Sequence, residues 1–130
     1  MPYLIDTNIA IHARDGSECV LERLAANDGA VVMSALSLAE LQRGLHKAAM
    51  HADLRRRRLA VLLDHIPVLP FDAAAAVAYG EILAQVGWVK GRDYDRMIAA
   101  HALAAGCVLV TNNAADFRDI PGLVIENWIV

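Results

Sequence analysis

The chain has 130 residues, of which 57% are hydrophobic and 21% are charged, and its formal net charge is −3. These values exclude a disordered chain, and we predict that residues 1–130 form a single domain with a sizeable core. The negative net charge argues against a simple nucleic-acid-binding module. It does not argue against a nuclease, because a metal site itself needs carboxylates.

The cysteines and the N-terminus indicate the cellular compartment. Cys19 and Cys107 lie far apart in apolar contexts, so we interpret them as small hydrophobic residues rather than a disulfide or a metal pair. The N-terminal MPYLIDTN lacks the basic start and the long apolar run of a signal peptide. The most apolar stretch, residues 73–89, contains Glu81 and two glycines, which indicates a core helix rather than a membrane span. We therefore expect a cytoplasmic protein with no membrane contact.

Short apolar runs alternate with helical patterns along the chain. The first half predicts, in order, a strand Tyr3–Ile5, a helix capped by Thr7 or Asn8 and running to about Ala13, a helix opened by Gly16 and Ser17, a strand Ala30–Met33, and a helix from Ser37 to about Ala49. The second half predicts a helix Asp53–His65, a strand Val68–Leu69, a helix capped by Asp72, a helix from Asp93 or Tyr94 to Gly106, and strands Cys107–Val110 and Leu123–Ile125.

Continuous apolar strands separated by helices are typical of a parallel sheet covered on both faces. The predicted fold class is therefore α/β, a three-layer arrangement with a short central parallel sheet flanked by helices and right-handed crossovers. In such sheets, binding and chemistry collect beyond the carboxyl ends of the strands, where the strand order reverses.

Four acidic residues are predicted to meet at that edge. Asp6 directly follows the first strand, and Glu40 is expected in the first turn of the helix after the second strand. Asp116 follows the strand that ends at Val110, while Asp95 is expected in the first turn of the preceding helix. Asp95 joins the other three if residues 87–92 return its helix to the same edge, as the usual strand–helix–strand geometry requires.

Each acid also has a purely structural interpretation. Asp6 and Asp116 could cap helices, Asp95 could favour the helix dipole, and Ser37 with Glu40 matches a capping box. Four carboxylates at one edge repel one another, however, so a bound divalent cation is the natural compensation. An all-oxygen site, with Asn112 and Asn113 as further candidate ligands, suits Mg²⁺ or Mn²⁺. Such a site can activate water for phosphodiester hydrolysis.

Five segments carry a resemblance to a known family over essentially the whole chain. They are LIDTNI (4–9), SALSLAELQRG (34–44), DRMIAAHALAAG (95–106), LVTNNAADF (109–117) and IPGLVIENW (120–128). Each motif is weak alone, but all five in this order and at these separations are specific. The chain resembles PIN-domain proteins of the VapC kind, the toxins of VapBC toxin–antitoxin systems.

The resemblance implies a PIN fold and a Mg²⁺-dependent endoribonuclease that hydrolyses RNA, with Mn²⁺ as a plausible substitute. It also implies a VapB-like antitoxin as partner and a homodimer. By position, Asp6 and Asp95 look like the main metal ligands, and Glu40 and Asp116 like the acids that complete the catalytic set. The residues that look like supporting positions are Thr7, Asn8, Thr111 and Asn112.

Two positions depart from the family pattern. The family often carries a basic residue two positions after the Phe of its last motif, and here that position is Asp119. Asp93 is a second acid close to Asp95, and we interpret it as a helix cap.

Arg43 lies three residues after Glu40 on the same helix face, where it could pair with the acids or contact RNA or a partner.

Several other groups have structural interpretations. The run Arg55–Arg58 is expected to be a solvated helix surface, with RNA or an acidic partner as the alternative, and His101 is expected to be a packed side chain. Tyr79, Trp88 and Trp128 are expected in the core or an interface. With aromatic residues at 5%, base-stacking platforms of the single-strand-binding kind are not expected.

Two other functions share some of these sequence features. A phospho-receiver module would also place an Asp after the first strand, but it requires a Lys at the end of a late strand, and neither Lys47 nor Lys90 is so placed. A catalytically silent PIN-like scaffold that binds RNA or protein is the remaining alternative, although the presence of all four acids argues against it. Whether added metal produces new RNA ends distinguishes the scaffold from the nuclease.

Overall fold

A computed structural model of the chain describes residues 1–47 and 50–129. Its elements are β1 (Tyr3–Ile5), α1 (Thr7–Arg14), α2 (Glu18–Ala26), β2 (Val31–Ser34), α3 (Ala35–Lys47), α4 (Ala52–His65), β3 (Val68–Leu69), α5 (Ala73–Val86), α6 (Asp93–Ala105), β4 (Val108–Val110), a 3₁₀ turn (Ala114–Asp116) and β5 (Ile125–Glu126). The order of elements confirms the predicted α/β class.

The five strands form one parallel sheet with the order β3-β2-β1-β4-β5. The chain first builds outward from β1 through β2 to β3, and then returns to place β4 on the other side of β1. The strand order therefore reverses between β1 and β4, which pair with Ile5 opposite Val110. The residues that follow these two positions, Asp6 and Thr111, lie at the point where α/β sheets bind ligands.

Helices cover both faces of the sheet, as predicted. Ile5, Met33 and Val110 point into a core cluster shared with α1, α2 and α4. Leu4 and Leu109, one residue earlier in their strands, point into a second cluster with α5 and α6. The alternation follows from the two-residue period of a β-strand. Both clusters consist of buried, mostly aliphatic side chains, so the sheet between them is rigidly supported.

Two boundaries in the first half differ from the prediction. The cap of α1 is Asp6, whose Oδ1 accepts from the backbone N–H of Ile9 at 2.9 Å, and not Thr7 or Asn8. Helix α3 begins at Ala35 rather than Ser37, so Glu40 lies in its second turn and the capping-box interpretation is wrong. The predicted end of this helix at Ala49 lies outside the described residues.

The second half agrees more closely. Asp72 caps α5 through the N–H of Ala75 at 3.0 Å, and Gly106 ends α6 with a φ of 68° that favours glycine. Strands β2, β4 and β5 are displaced by one or two residues from their predicted bounds. Helix α6 begins at Asp93 as predicted, but Asp93 is not its cap; that position is Arg92. Within the described residues, no helix is both long and apolar enough to cross a membrane.

Candidate active site

Asp6 occupies the centre of the sheet edge because it is the first residue after the central strand β1. It is only 7% exposed, its N–H donates to the carbonyl of Val110 at 2.9 Å, and its carboxylate accepts from Ile9. Burial raises the pKa of Asp6, a hydrogen bond from Thr111 and the bond from Ile9 oppose the rise, and the nearby charges of Asp95 and Glu40 add to it. The side chain is therefore a fixed carboxylate in a strongly negative environment.

Glu40 is held by a hydroxyl from the neighbouring helix. The Thr7 hydroxyl, in the first turn of α1, donates to Glu40 Oε1 at 2.7 Å and lies 3.0 Å from the Ser37 hydroxyl. Ser37 is fully buried on α3, one turn before Glu40. Helices α1 and α3 thus fix the direction of the Glu40 carboxylate, because a hydroxyl bonded on two sides cannot turn freely.

Asp95 lies in the first turn of α6, where the charges of two other acids act on it. Burial raises the pKa of Asp95, the charges of Glu40 and Asp116 raise it further, and the charges of Arg92 and Arg96 oppose this. Asp116 ends the 3₁₀ turn after β4, where its Oδ1 lies 3.1 Å from Arg92 Nη1. The structure therefore places the other three predicted acids within electrostatic reach of Asp95.

Supporting residues come partly from predicted and partly from unpredicted positions. Thr111 is fully buried, bonds Asp6 and accepts from the N–H of Asn113 at 3.0 Å. The Asn113 side chain, rather than that of Asn112, donates to the Asp116 carboxylate. Asn112 and Asn8 are exposed, and neither side chain forms a hydrogen bond within residues 1–47 and 50–129.

A pair of arginines at the start of α6, its cap Arg92 and Arg96, was not predicted from the sequence. Arg92 pairs with Asp116, and Arg96, four residues later, donates to Asp119 at 2.8 and 3.0 Å. The spacing offered a signal: cations at i and i+4 on one helix match anions at i and i+3 on the segment beside it. Asp119, which departs from the family pattern, is thus the partner of a buried arginine.

The exposure of the other candidate side chains shows which of them are packed and which face solvent. Arg43 is exposed and makes no ion pair with the acids in the part of the chain that the structure describes, so its contact with them is not formed. His101 is buried and bonds Ser34 at 2.8 Å, which confirms a packed role. Trp128 is in the core at 2% exposed, whereas Trp88, at 63% exposed, is not, so for Trp88 only the predicted interface position stays a prediction.

The donor set suits a hard divalent cation. Among the described residues, no group of three or more His, Cys, Asp or Glu side chains is placed to hold a metal ion as it stands. The carboxylates of the acidic cluster are instead bonded to other partners: Asp6 to Ile9, Glu40 to Thr7 and Asp116 to Arg92. Mg²⁺ does not need such a cage, since it keeps several waters and uses one or two carboxylates. A set of carboxylate oxygens in which the pKa values of Asp6 and Asp95 are raised therefore fits Mg²⁺ or a similar ion.

This arrangement agrees with what comparison of whole chains shows. The family model described as "PIN domain" matches residues 3–123. The match spans the central strand and all four acids. The chain therefore belongs to the PIN-domain family.

Individual relatives narrow the class to VapC. The chain is 37% identical to the ribonuclease VapC2 of Rickettsia felis, with 98% of each chain covered. It is also 37% identical to the tRNA(fMet)-specific endonuclease VapC of Shigella flexneri, again over 98% of each chain. Among solved structures, VapBC2 of Rickettsia felis bound to a promoter DNA fragment aligns with a TM-score of 0.84 and 36% identity, covering 98% of this chain and 99% of that one. DNA-bound VapBC of Salmonella typhimurium aligns with a TM-score of 0.83 and 34% identity, covering 98% of each chain.

Proposed function

We propose that this chain is a divalent-metal-dependent endoribonuclease and the toxin component of a type II toxin–antitoxin system. The observation that carries the proposal is the cluster of Asp6, Glu40, Asp95 and Asp116 at the point where the strand order reverses. The VapC relatives support the choice of RNA as substrate, because they are ribonucleases similar over nearly the whole chain.

Asp6 and Asp95 are proposed as the direct metal ligands, with Mg²⁺ as the ion and Mn²⁺ as a substitute. Burial and, to a smaller extent, neighbouring carboxylates raise the pKa of both side chains, and a bound cation would lower these values. When bound, the metal supplies an activated water and charge stabilisation for phosphodiester hydrolysis. Thr111 supports this assignment by holding Asp6 ionised.

Glu40 and Asp116 are proposed to complete the site by orienting water and substrate. Glu40 Oε1 is bonded to Thr7, which leaves its second oxygen available to accept a proton from water. Asp116 is held by Arg92 and Asn113, and its charge acts on Asp95. Asn8, Asn112 and Arg43 are exposed near these residues in sequence and can contact the RNA.

The decisive experiment uses purified protein, a pool of cellular RNA that includes initiator transfer RNA, and either Mg²⁺, Mn²⁺ or a chelator. The transfer RNA is included because the Shigella flexneri relative is named for it. The test variant is Asp95→Asn, and the matched control is Asp64→Asn, an exposed acid of α4 outside the site. We expect discrete metal-dependent cuts from the native and control proteins and none from Asp95→Asn.

The other outcomes have different meanings. Cuts that persist in Asp95→Asn would contradict the assignment of the site. Metal and RNA binding without new RNA ends would identify the chain as a silent scaffold.

A VapB-like antitoxin is proposed as the partner, because the similar structures are VapBC assemblies. A cluster of partly buried carboxylates attracts cations, so we propose that an antitoxin segment enters the cleft and presents a basic side chain to it. Charge reversal of that side chain should release inhibition of RNA cleavage without abolishing complex formation elsewhere. A structure of the complex with an empty cleft would contradict this mode.

The remaining features of the resemblance are proposals too. We propose that residues 1–130 act as one domain in the cytoplasm, where RNA substrates occur, and that two copies form a homodimer. Sedimentation equilibrium of the purified protein tests the dimer, and a monomer at micromolar concentration would contradict it.

A further inference from the structure

One aromatic side chain in the loop that precedes Asp95 is exposed. Trp88 lies in the α5–α6 loop, residues 87–92, and is 63% exposed. The indole N–H donates to Asp93 Oδ1 at 2.9 Å, and the same oxygen accepts from the Tyr79 hydroxyl at 2.8 Å. Tyr79 stands on α5 and Asp93 opens α6, so this carboxylate ties the edge of the indole to both helices while the ring remains in solvent.

The place of this side chain in the fold suggests what it contacts. Asp93, which bonds the indole, and Asp95 of the acidic cluster both belong to the first turn of α6. Arg92, at the end of the α5–α6 loop, reaches the cluster through its 3.1 Å contact with Asp116. The loop that carries Trp88 therefore leads directly to the acids, and an RNA bound there can extend along it.

The charge of the loop favours a polyanion. Lys90 is exposed and Arg92 lies beside it, so the loop carries two cations in a chain whose net charge is −3. Tyr94, 42% exposed, adds a second aromatic side chain next to them. Cations interleaved with exposed aromatic rings are the combination with which proteins hold single-stranded nucleic acid, because phosphates pair with the cations and unpaired bases stack on the rings.

We propose that the α5–α6 loop is a binding site for a single-stranded RNA segment next to the scissile phosphate, with one base stacked on Trp88. Asp93 has the role of a fixed anchor that holds the indole in position before the RNA arrives, which lowers the entropy lost on binding. The inference rests on the proposed function, since it takes RNA as the substrate. It replaces the expectation from composition that stacking platforms are absent.

Binding is measured in chelator, so that cleavage does not interfere, with a short single-stranded oligoribonucleotide and a duplex of the same sequence. The variants are Trp88→Ala and Trp88→Phe, and the matched control is Val89→Ala, which removes exposed apolar surface from the same loop but no aromatic ring. We expect Trp88→Ala to weaken binding of the single strand roughly ten-fold, within the range of one base–aromatic stack. The affinity of Trp88→Phe should lie between those of the native protein and Trp88→Ala, and the affinity of Val89→Ala should equal that of the native protein.

A spectroscopic readout reports the stack itself. In a Trp128→Phe background Trp88 is the single tryptophan, and we expect its fluorescence to be quenched by the single strand and less by the duplex. Three results would overturn the inference: equal binding by native protein and Trp88→Ala, equal loss in Val89→Ala, or a change in oligomeric state of Trp88→Ala in sedimentation. The last would show that the indole belongs to a protein interface.

Failure of this inference is distinguishable from failure of the proposed function. Metal-dependent cleavage by the native protein with unchanged binding in Trp88→Ala would remove the stacking site and keep the nuclease. Binding that depends on Trp88, without cleavage in any metal, would keep the site and remove the nuclease.

Discussion

The buried guanidinium of Arg96 donates two hydrogen bonds, of 2.8 and 3.0 Å, to the half-exposed carboxylate of Asp119. One helical turn earlier, Arg92 pairs with Asp116. The two pairs attach the segment after β4 to the first turns of α6, and so they fix Asp116 relative to Asp95. A site residue is thereby positioned by an ion pair that lies outside the acidic cluster.

The Arg96–Asp119 pair predicts an asymmetric loss of stability. Asp119→Asn leaves a buried guanidinium without its counter-charge, whereas Arg96→Met removes the buried charge and fills its volume. We expect Asp119→Asn to lower the free energy of unfolding by about 1–3 kcal/mol, reduced from the fully buried case because Asp119 faces solvent. Arg96→Met should cost less, and adding Asp119→Asn to it should cost almost nothing. Urea unfolding of the four proteins checks this, and additive losses would contradict it.

The same pair predicts a dependence of stability on pH. The Arg96 guanidinium, mainly through its hydrogen bonds, lowers the pKa of Asp119. A lowered folded-state pKa gives stability that is present above the unfolded value of about 3.9 and is lost as the pH falls through the folded value. We expect the native protein to lose its advantage over Asp119→Asn in this acidic window. A stability difference that stays constant from neutral pH to about pH 2 would contradict the ion pair.

Thr111 predicts a shift in the pH dependence of cleavage. Its hydrogen bond lowers the pKa of Asp6, which burial otherwise raises. In Thr111→Val the shape is kept and the donor is lost, so a smaller fraction of Asp6 is ionised at a given pH. We expect the rise of the cleavage rate to move to higher pH, while Thr111→Ser, which keeps the hydroxyl, stays near the native profile. Identical profiles for Val and Ser would contradict a role of this bond.

Asp6 predicts that the metal-free site is destabilising at neutral pH. Its raised pKa, caused mainly by burial, gives stability that is present below the unfolded value of about 3.9 and is lost as the pH rises through the folded value. Asp6→Asn removes the charge and retains an acceptor for the N–H of Ile9. In chelator at neutral pH we expect a higher unfolding temperature for the variant, and a smaller difference near pH 4.

Metal addition supplies the control for that prediction. Binding to the native state alone stabilises it, so Mg²⁺ should raise the unfolding temperature of the native protein and have little effect on Asp6→Asn. Calorimetry measures both quantities on the same samples. Equal stabilisation of the two proteins by Mg²⁺ would place the metal elsewhere.

The sheet and the position of Asp6 could be predicted from the sequence, because both depend on local patterns. Continuous apolar runs identify parallel strands, and an acid directly after such a run must lie at the carboxyl edge. Helix starts were predicted less accurately, and Asp93 shows the reason: which atoms it bonds depends on neighbours from other elements. Asp93 bonds Tyr79 and Trp88 instead of capping α6, and no local pattern encodes that contact.

The ion pair beside the acids could not be assigned from sequence for the same reason. The pairing of Arg96 with Asp119 joins positions 23 residues apart and requires the packing of α6 beside the segment after β4. The exposure of Trp88 is likewise a property of the assembled fold, because tryptophan side chains are highly buried on average.

His101 predicts a loss of stability in mild acid. It is buried on α6, where its Nδ1 lies 2.8 Å from the Ser34 hydroxyl and its ring meets Phe71 edge to face. The Ser34 oxygen already accepts from the N–H of Leu36, which favours donation of its proton to Nδ1 and keeps the imidazole neutral. Burial accordingly lowers the pKa of His101, although the charge of Asp72 opposes this.

The sign of the effect follows from that direction. A lowered folded-state pKa gives stability that is present above the unfolded value of about 6.5 and is lost as the pH falls through the folded value. We expect unfolding free energy to fall from neutral pH to about pH 5, and the slope to be smaller in His101→Gln than in the control His65→Gln, whose side chain is exposed on α4. Urea unfolding at several pH values measures the slopes. Equal slopes in the two variants would mean that folding does not lower the pKa of His101, and they would contradict this prediction.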